Sequence, residues 1–170
     1  MLSDLIRSHL MVLSGLQVRY IGRSGNMGWI GFGQDVSLAG PKNSVRVVAK
    51  YAIHIQCAFR VLTKDSVLFG SSDMYEPADN TIPYSDFDWD VLGANYYDVC
   101  AQRLSTEFGD NKVIVTRIEV TTYGDVSIML SYNMVIEVFI DNGTNSESFR
   151  FFEPGNKDSH VVVTGHGIEQ

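Results

Sequence analysis

An alternating pattern in residues 51–61 places the tightest limit on how this chain folds. Every odd-numbered side chain in this stretch is apolar, whereas the even-numbered positions are Ala52, His54, Gln56, Ala58 and Arg60. A two-residue period is typical of a strand with one buried face. A short connection then leads to the apolar residues 67–70, so we predict a hairpin of two antiparallel strands.

Two segments have helical periodicity instead. In residues 3–14, apolar side chains recur every three or four positions between Ser3, a typical N-cap, and Gly15, a typical C-terminal residue. We expect this helix to pack on the sheet. Residues 91–108 predict a second helix that ends at Gly109. Its predicted buried face comprises Leu92, Tyr96, Val99, Cys100 and Leu104.

The remaining pattern is that of short strands between turns that contain glycine and asparagine. We place these strands at residues 17–21, 29–32, 112–122, 126–131, 134–140, 148–152 and 160–164. Strands and helices do not alternate, which argues against a parallel, doubly wound fold. We therefore predict a single α+β domain of residues 1–170, with a helix in residues 1–15 and one central helix. Its mostly antiparallel sheet would have about eight or nine strands, curved or partly closed as a barrel.

The cysteine content and the absence of a targeting signal predict a cytoplasmic protein. The chain has two cysteines, Cys57 and Cys100, both on predicted apolar faces. This favours buried thiols in a reducing compartment, with one disulfide as an open alternative. The longest apolar run near the start is residues 10–13. It is far shorter than the roughly 18 residues of a membrane-spanning helix.

The negative charge is concentrated in one segment. The formal net charge is −7, yet residues 65–102 contain eight acidic side chains and no Lys or Arg. The rest of the chain is nearly neutral, with 12 acidic and 13 basic side chains. Such a field repels nucleic acid and anionic membranes and speeds the approach of a basic protein. We predict a basic partner, no nucleic acid and no membrane.

Residues 71–90 combine acidic and aromatic side chains without any periodicity. Loops longer than about 12 to 15 residues in compact domains are usually functional or disordered, and this one is too aromatic for disorder. In a structural interpretation, Asp88 or Asp90 caps the second helix and the aromatic side chains fill the core. In a functional one, the segment binds a basic partner. The predicted partner-binding residues are Asp73, Tyr75, Glu76, Asp79, Asp86, Asp88, Trp89 and Asp90.

Familiar metal and catalytic patterns are missing from the sequence. His54 and Cys57 are three positions apart on one predicted strand, so their side chains point to opposite faces. Residues 86–90 resemble the start of a calcium loop, but Val91 stands where the turn glycine is needed. The glycines of residues 22–33 do not have the spacing of a phosphate-binding loop. We predict no metal, no cofactor and no catalytic residue.

Several motifs resemble those of a family of small uncharacterised bacterial cytoplasmic proteins, and the pattern also resembles immunity proteins of polymorphic-toxin systems. The resemblance is carried by a His-Ile-Gln-Cys, aromatic, Arg strand in residues 51–60, by residues 67–75 and 87–90, and by residues 135–142 and 147–152. It extends over residues 18–167. Where family members have Pro-Trp after the cysteine, this chain has Ala58 and Phe59. The resemblance implies a bacterial, cytosolic neutraliser of a toxin and supplies no catalytic residue.

Three hypotheses follow. The first is a non-enzymatic, immunity-type protein whose acidic aromatic loop occludes a basic partner such as a toxin. The second is a small-ligand-binding protein or an enzyme with a polar site at His54, Gln56 and Arg60, close to Asp73. A half-buried structural histidine is the simpler interpretation of His54. The third is a homo-oligomeric domain with no chemistry of its own, which predicts a large apolar interface with itself.

Overall fold

A computed structural model describes residues 1–169 and contains two α-helices and eleven strands in that range. The helices are α1 (Leu2–Leu10) and α2 (Tyr96–Asn111). The strands are β1 (Val18–Ser24), β2 (Met27–Ala39), β3 (Val45–Ile55), β4 (Ala58–Leu62), β5 (Val67–Gly70), β6 (Val115–Val120), β7 (Val126–Leu130), β8 (Val135–Phe139), β9 (Glu147–Phe152), β10 (Val161–Thr164) and β11 (Gly167–Glu169). The predicted α+β class, with one N-terminal and one central helix, is confirmed.

The strands form two antiparallel sheets that do not close into a barrel. The first sheet has the order β1-β2-β3-β9-β10-β11, and the second has the order β5-β4-β8-β7-β6. All neighbouring strands are antiparallel. The antiparallel pairing is as predicted, but eleven strands in two sheets replace about eight or nine strands in one curved sheet or partial barrel.

The predicted continuous strand at residues 51–61 is wrong, because the chain leaves the first sheet for the second at Gln56 and Cys57. The N–H groups of these two residues donate to the carbonyl of Ser148 at 2.8 and 3.1 Å. Every odd-numbered side chain from Ile53 to Val61 is nevertheless buried, because both sheets enclose the same core. The predicted hairpin is formed by β4 and β5.

Both helices cover edge strands of the two sheets. Helix α2 contacts β1 and β5, and helix α1 contacts β6 and β11. Side chains of α2 satisfy the free edge of β1: the Ser105 hydroxyl bonds both backbone groups of Ile21 at 3.0 Å, and the Tyr97 hydroxyl donates to the Gly22 carbonyl at 2.9 Å. Covered edges cannot pair with another chain. Buried residues of both helices and both sheets form one hydrophobic core.

The predicted start of α2 is wrong. Residues 91–94 form a turn with Gly93 at φ +86°, and the helix begins at Tyr96 with Asn95 as its N-cap. Leu92 therefore lies outside the helix, in the preceding turn, and is 80% exposed. The residues that face the core are Tyr97, Cys100, Ala101, Leu104 and Phe108. The helix also passes Gly109 and ends at Asn111, followed by Lys112 in a left-handed conformation.

The N-terminal helix begins one residue earlier than predicted. Ser3 lies inside its first turn and is buried, and no side chain caps the helix. After Leu10 the chain forms a short 3₁₀ turn and then reverses at Gly15, whose φ of +80° fits the predicted role of this glycine. Of the predicted face, Ile6 and Leu10 are buried, whereas Leu5 is exposed.

Two features bear on the predicted environment of the chain. Cys57 and Cys100 are both buried and unpaired, as predicted, and burial raises the pKa of the Cys57 thiol to about 12. Within residues 1–169, no helix is long and apolar enough to cross a membrane.

Candidate functional site

Residues 71–95, which we call the acidic segment, connect β5 to α2 and fold back on the start of that helix. The segment contains two short 3₁₀ turns, Ser71–Tyr75 and Tyr84–Asp86. Backbone hydrogen bonds of 2.8 Å join Ala78 to Ala94 and Tyr96 to Glu76. The segment is therefore a folded loop, as its aromatic content predicts, and not a free excursion.

Arg23 of β1 fixes the acidic segment to the body of the protein. Its guanidinium donates two hydrogen bonds to the Asp98 carboxylate, at 2.8 and 2.9 Å. The two side chains are only 2% and 6% exposed. The same guanidinium donates to the Trp89 carbonyl at 3.0 Å and lies 5.7 Å from the Trp89 ring centre. The hydrogen bond to Asp98 raises the pKa of Arg23, so this buried side chain stays charged.

The network continues through Asn95, which is completely buried. Its side-chain oxygen accepts from the Asp98 N–H at 2.8 Å, and its amide donates to the Trp89 carbonyl at 2.9 Å. The Asp98 carboxylate also accepts from the Gly93 N–H at 2.8 Å. The first turn of α2 and the end of the acidic segment therefore form one hydrogen-bonded unit around Arg23.

Three of the predicted partner-binding residues have roles inside the protein. Asp73 accepts a hydrogen bond of 2.7 Å from the Gly70 N–H and so closes the first 3₁₀ turn. Trp89 supplies its carbonyl and ring to Arg23 and packs against Tyr75, with ring centres 5.1 Å apart. Asp90 forms an ion pair of 3.3 Å with Arg23, although its side chain is 64% exposed. These residues therefore have structural roles, but the predicted helix cap at Asp88 or Asp90 is wrong, because Asn95 caps α2.

The other five predicted residues are exposed: Tyr75, Glu76, Asp79, Asp86 and Asp88. Asp79 accepts hydrogen bonds from the Thr81 hydroxyl and N–H, which lower the pKa of Asp79. Within residues 1–169, Asp90 is the one acid of the acidic segment that pairs with a basic side chain. The carboxylates of Glu76, Asp79, Asp86 and Asp88 thus face solvent without a counter-charge.

Large apolar side chains are exposed beside these carboxylates. In residues 1–169, seven of the seventeen exposed large hydrophobic side chains lie within residues 75–99: Tyr75, Ile82, Tyr84, Val91, Leu92, Tyr96 and Val99. One hydrogen bond connects the two kinds of side chain: the Tyr84 hydroxyl donates to the Glu76 carboxylate, and this bond raises the pKa of Tyr84. We call this combination the acidic aromatic surface: these seven residues with Glu76, Asp79, Asp86 and Asp88.

Sequence reasoning assigned Leu92, Tyr96 and Val99 to the buried face of the second helix, and this assignment is wrong. The error follows from starting the helix at residue 91. Asn95 followed three positions later by Asp98 is a recognisable helix start. That signal excludes Leu92, which lines up with Tyr96 and Val99 at helical spacing, and so leaves Tyr97, Ala101 and Phe108 to define the buried face.

The structure does not bring together the residues of the alternative site. His54 lies on β3 of the first sheet, whereas Arg60 lies on β4 of the second. Arg60 donates to Glu137 at 2.7 Å and lies 5.2 Å from the Phe139 ring centre. Gln56 is exposed where the chain crosses between the sheets, and Asp73 is engaged with Gly70. The depression that His54 lines on the first sheet does not include Arg60.

His54 is half-buried, as its simpler interpretation predicts. The contact that the structure gives its ring is with an aromatic side chain rather than the expected hydrogen bond to the backbone or to neighbours of Gln56. Its imidazole meets Phe152 edge to face at 4.7 Å between ring centres, and Phe152 stacks on His160 at 4.6 Å. Burial, and then the charge of Arg150, lower the pKa of His54. The imidazole is therefore neutral near pH 7 and offers one donor and one acceptor.

No protein-family model, curated protein or solved structure matches this chain. The resemblance to immunity proteins therefore stays a prediction. Among residues 1–169, no group of three His, Cys, Asp or Glu side chains is arranged to hold a metal ion.

Proposed function

We propose that this chain is a non-enzymatic, immunity-type protein that neutralises a basic partner protein in the bacterial cytoplasm. One observation carries the proposal: four carboxylates without counter-charges lie in the same folded segment as five exposed large hydrophobic side chains, and two more, Tyr96 and Val99, follow on the first turn of α2. A loop with a purely structural role would not be expected to expose so many large hydrophobic side chains, because their contact with water is unfavourable.

The two kinds of side chain have different tasks in such an interface. Carboxylates attract a cationic surface over long range and select against acidic proteins, chiefly through the association rate. Tyrosines and leucine supply the contact area that excludes water and gives the complex its lifetime. Tyr84 and Glu76 combine both tasks, because the hydroxyl of one donates to the carboxylate of the other.

The Arg23 network prepares this surface for binding. A disordered segment must be ordered when it binds, and that lost entropy weakens the complex. Here the buried contacts of Arg23 with Asp98 and Trp89 hold the segment in one conformation in the free protein. The partner then meets a surface whose charges already have fixed positions.

The test is affinity capture from a lysate of the source cells with two variants of equal charge. One variant changes the surface itself: Glu76→Gln, Asp79→Asn, Asp86→Asn and Asp88→Asn. The control changes exposed acids elsewhere: Glu107→Gln, Asp110→Asn, Asp158→Asn and Glu169→Gln. We expect the wild type and the control to capture the same basic protein at about 0.05 M salt and to release it at about 0.5 M, where screening is strong. The surface variant should not capture it.

The captured protein then provides a functional readout. Co-expression with the wild type or the control should protect cells from it, and co-expression with the surface variant should not. Capture of nothing at low salt, or of the same protein by the surface variant, would contradict the proposal. A wild-type dimer in light scattering that Leu92→Asp dissociates would also contradict it, because the surface would then be covered by a second copy.

A further inference from the structure

A depression of about 460 Å³ lies on the first sheet, on the face turned away from the core. Its size falls within the roughly 300 to 1,000 Å³ of small-molecule sites. The wall contains the side chains of Tyr20, Trp29, Arg46, His54 and Phe152, and Ala52 is among the smaller residues that line it. None of the lining residues belongs to the acidic segment.

A β-bulge shapes one end of this depression. Gly33 and Gln34 of β2 both oppose Lys50 of β3, and Gly33 adopts φ +84°, where glycine is free of strain. Beyond the bulge, β2 and β3 continue as a two-stranded ribbon. Because β3 itself is regular, Arg46 on the ribbon points to the same face as His54. The ribbon thus brings a cation to the edge of the depression.

Two aromatic rings of the wall are fixed over glycines. A Cβ atom at Gly31 would clash with the Tyr20 ring, and one at Gly22 would clash with the Trp29 ring. The Ala49 N–H donates to the Tyr20 hydroxyl at 2.8 Å, and the two rings meet edge to face with centres 5.3 Å apart. Both side chains stay half-exposed. The apolar walls therefore exist before any ligand arrives, which lowers the ordering cost of binding.

The polar groups of the depression favour an anion. Arg46 is exposed, and it forms no ion pair within residues 1–169. His54 offers a hydrogen-bond donor, and no carboxylate side chain lines the depression. This part of the sheet therefore differs in charge from the acidic aromatic surface.

We propose that the depression binds a small planar aromatic molecule that carries an anionic group, such as an aromatic carboxylate. The rings of Tyr20, Trp29 and Phe152 provide apolar surface for the ring system of the ligand. Arg46 pairs with the anionic group by charge-assisted hydrogen bonds. This site is independent of the proposed partner binding.

The experiment uses 2-naphthoate as the probe and neutral 2-naphthamide as its uncharged counterpart. The chain has two tryptophans, so Trp89→Phe leaves Trp29 as the single fluorescent reporter in the wall. We expect naphthoate to quench Trp29, and calorimetry to give a Kd at least about tenfold lower for naphthoate than for the amide, as a charge-assisted hydrogen bond implies.

Three variants make the result specific. Arg46→Gln should weaken naphthoate binding about tenfold without changing amide binding, whereas Arg103→Gln, an exposed arginine of α2, should change neither. Ala52→Leu fills the depression and should abolish binding of both probes, with far-ultraviolet circular dichroism as the check on folding. Absence of naphthoate binding by the wild type would overturn the proposal. So would an affinity that neither Arg46→Gln nor Ala52→Leu changes.

Discussion

Arg23 and Asp98 are opposite charges that the fold removes from water, with side chains 2% and 6% exposed. A buried ion pair stabilises a fold little more than an apolar pair of the same size would. Loss of one partner is nevertheless strongly destabilising, because it leaves the other charge buried and unpaired. We expect Asp98→Ala to lower the free energy of unfolding by about 3 to 5 kcal/mol, measured by urea denaturation. The matched control is Asp90→Ala, which removes the exposed partner of Arg23 and should cost at most about 1 kcal/mol. Equal losses in both variants would contradict the assigned burial.

Because of His54, the free energy of unfolding should decrease as the pH falls. Its pKa in the folded protein is below the ordinary value of 6.5, so the unfolded chain takes up a proton first as the pH falls. The contribution of neutral His54 to the stability of the fold is therefore complete above pH 6.5. It is lost as the pH falls through the pKa of His54 in the folded protein. Arg150, Glu147 and His160 are the charged and titratable neighbours that act on this value.

The measurement is urea denaturation at about pH 7.5 and at about pH 5.5, on either side of the ordinary histidine pKa. We expect the wild type to lose more stability over this interval than His54→Gln, whose amide does not titrate. His9→Gln, at an exposed position of α1, should behave like the wild type. A smaller loss for the wild type than for His54→Gln would contradict the direction of the shift.

Some residue-scale features were predictable and others were not. Burial of the odd-numbered side chains from Ile53 to Val61 follows from the local alternation, and it persists where the strand breaks. The partner of Arg23 is 75 positions away, and its sequence neighbourhood gives no sign of a buried charge. Patterns of hydrophobicity identify faces, but they do not identify which distant polar groups satisfy each other.

The Asn95 side chain joins helix α2 to the acidic segment, because its oxygen caps the helix and its amide donates to the Trp89 carbonyl. We expect Asn95→Ala to lower the free energy of unfolding by about 1 to 3 kcal/mol. The substitution removes the cap of α2 and one of the hydrogen-bond donors to the Trp89 carbonyl. The freed segment should also be cut severalfold faster by a protease specific for aspartate, followed by mass spectrometry. Asn111→Ala, at the far end of the same helix, is the control. Equal cleavage rates would show that the segment is held by other contacts.

Helix and strand boundaries depended on tertiary contacts. The hairpin of β4 and β5 was predictable, since the turn and both apolar runs are local. The crossing at Gln56 and Cys57 was not, because nothing in the alternation records that Ser148 accepts both N–H groups. The start of α2 was misplaced for the opposite reason: the local signal at Asn95 was present, but the apolar residues before it suggested an earlier start.

A single core makes the whole molecule one unfolding unit, since buried residues of both sheets and both helices belong to it. We expect Trp29→Phe and Trp89→Phe, each with one remaining tryptophan, to give the same urea midpoint by fluorescence as by far-ultraviolet circular dichroism. Trp29 lies on the first sheet and Trp89 in the acidic segment, so they report on different regions. An earlier transition in the variant that retains Trp89 would mean that the acidic segment unfolds by itself.

At the scale of the whole molecule, hydrophobic periodicity predicted the fold class and the distribution of acids predicted the location of negative charge, but neither predicted the shape of the candidate site. The acids at positions 73 to 90 are all visible in the sequence. Which of them turn inward depends on Arg23 and Gly70, which donate to Asp90 and Asp73. The depression beside Trp29 was also invisible, because its walls combine the consecutive strands β1, β2 and β3 with β9, which is distant from them in sequence.

Helix α1 packs against β11, so the first element of the chain contacts the last described strand. Leu2 and Leu5 of α1 share a surface concavity with Ile168 of β11. During synthesis, α1 is made well before β11 and waits for this contact until β11 has also been made. Contacts so distant in sequence slow folding, and we expect refolding in milliseconds to seconds rather than microseconds. Until the strands that pack against α1 have been made, its apolar side chains Ile6 and Leu10 are uncovered, and chaperones bind exposed apolar surface of this kind.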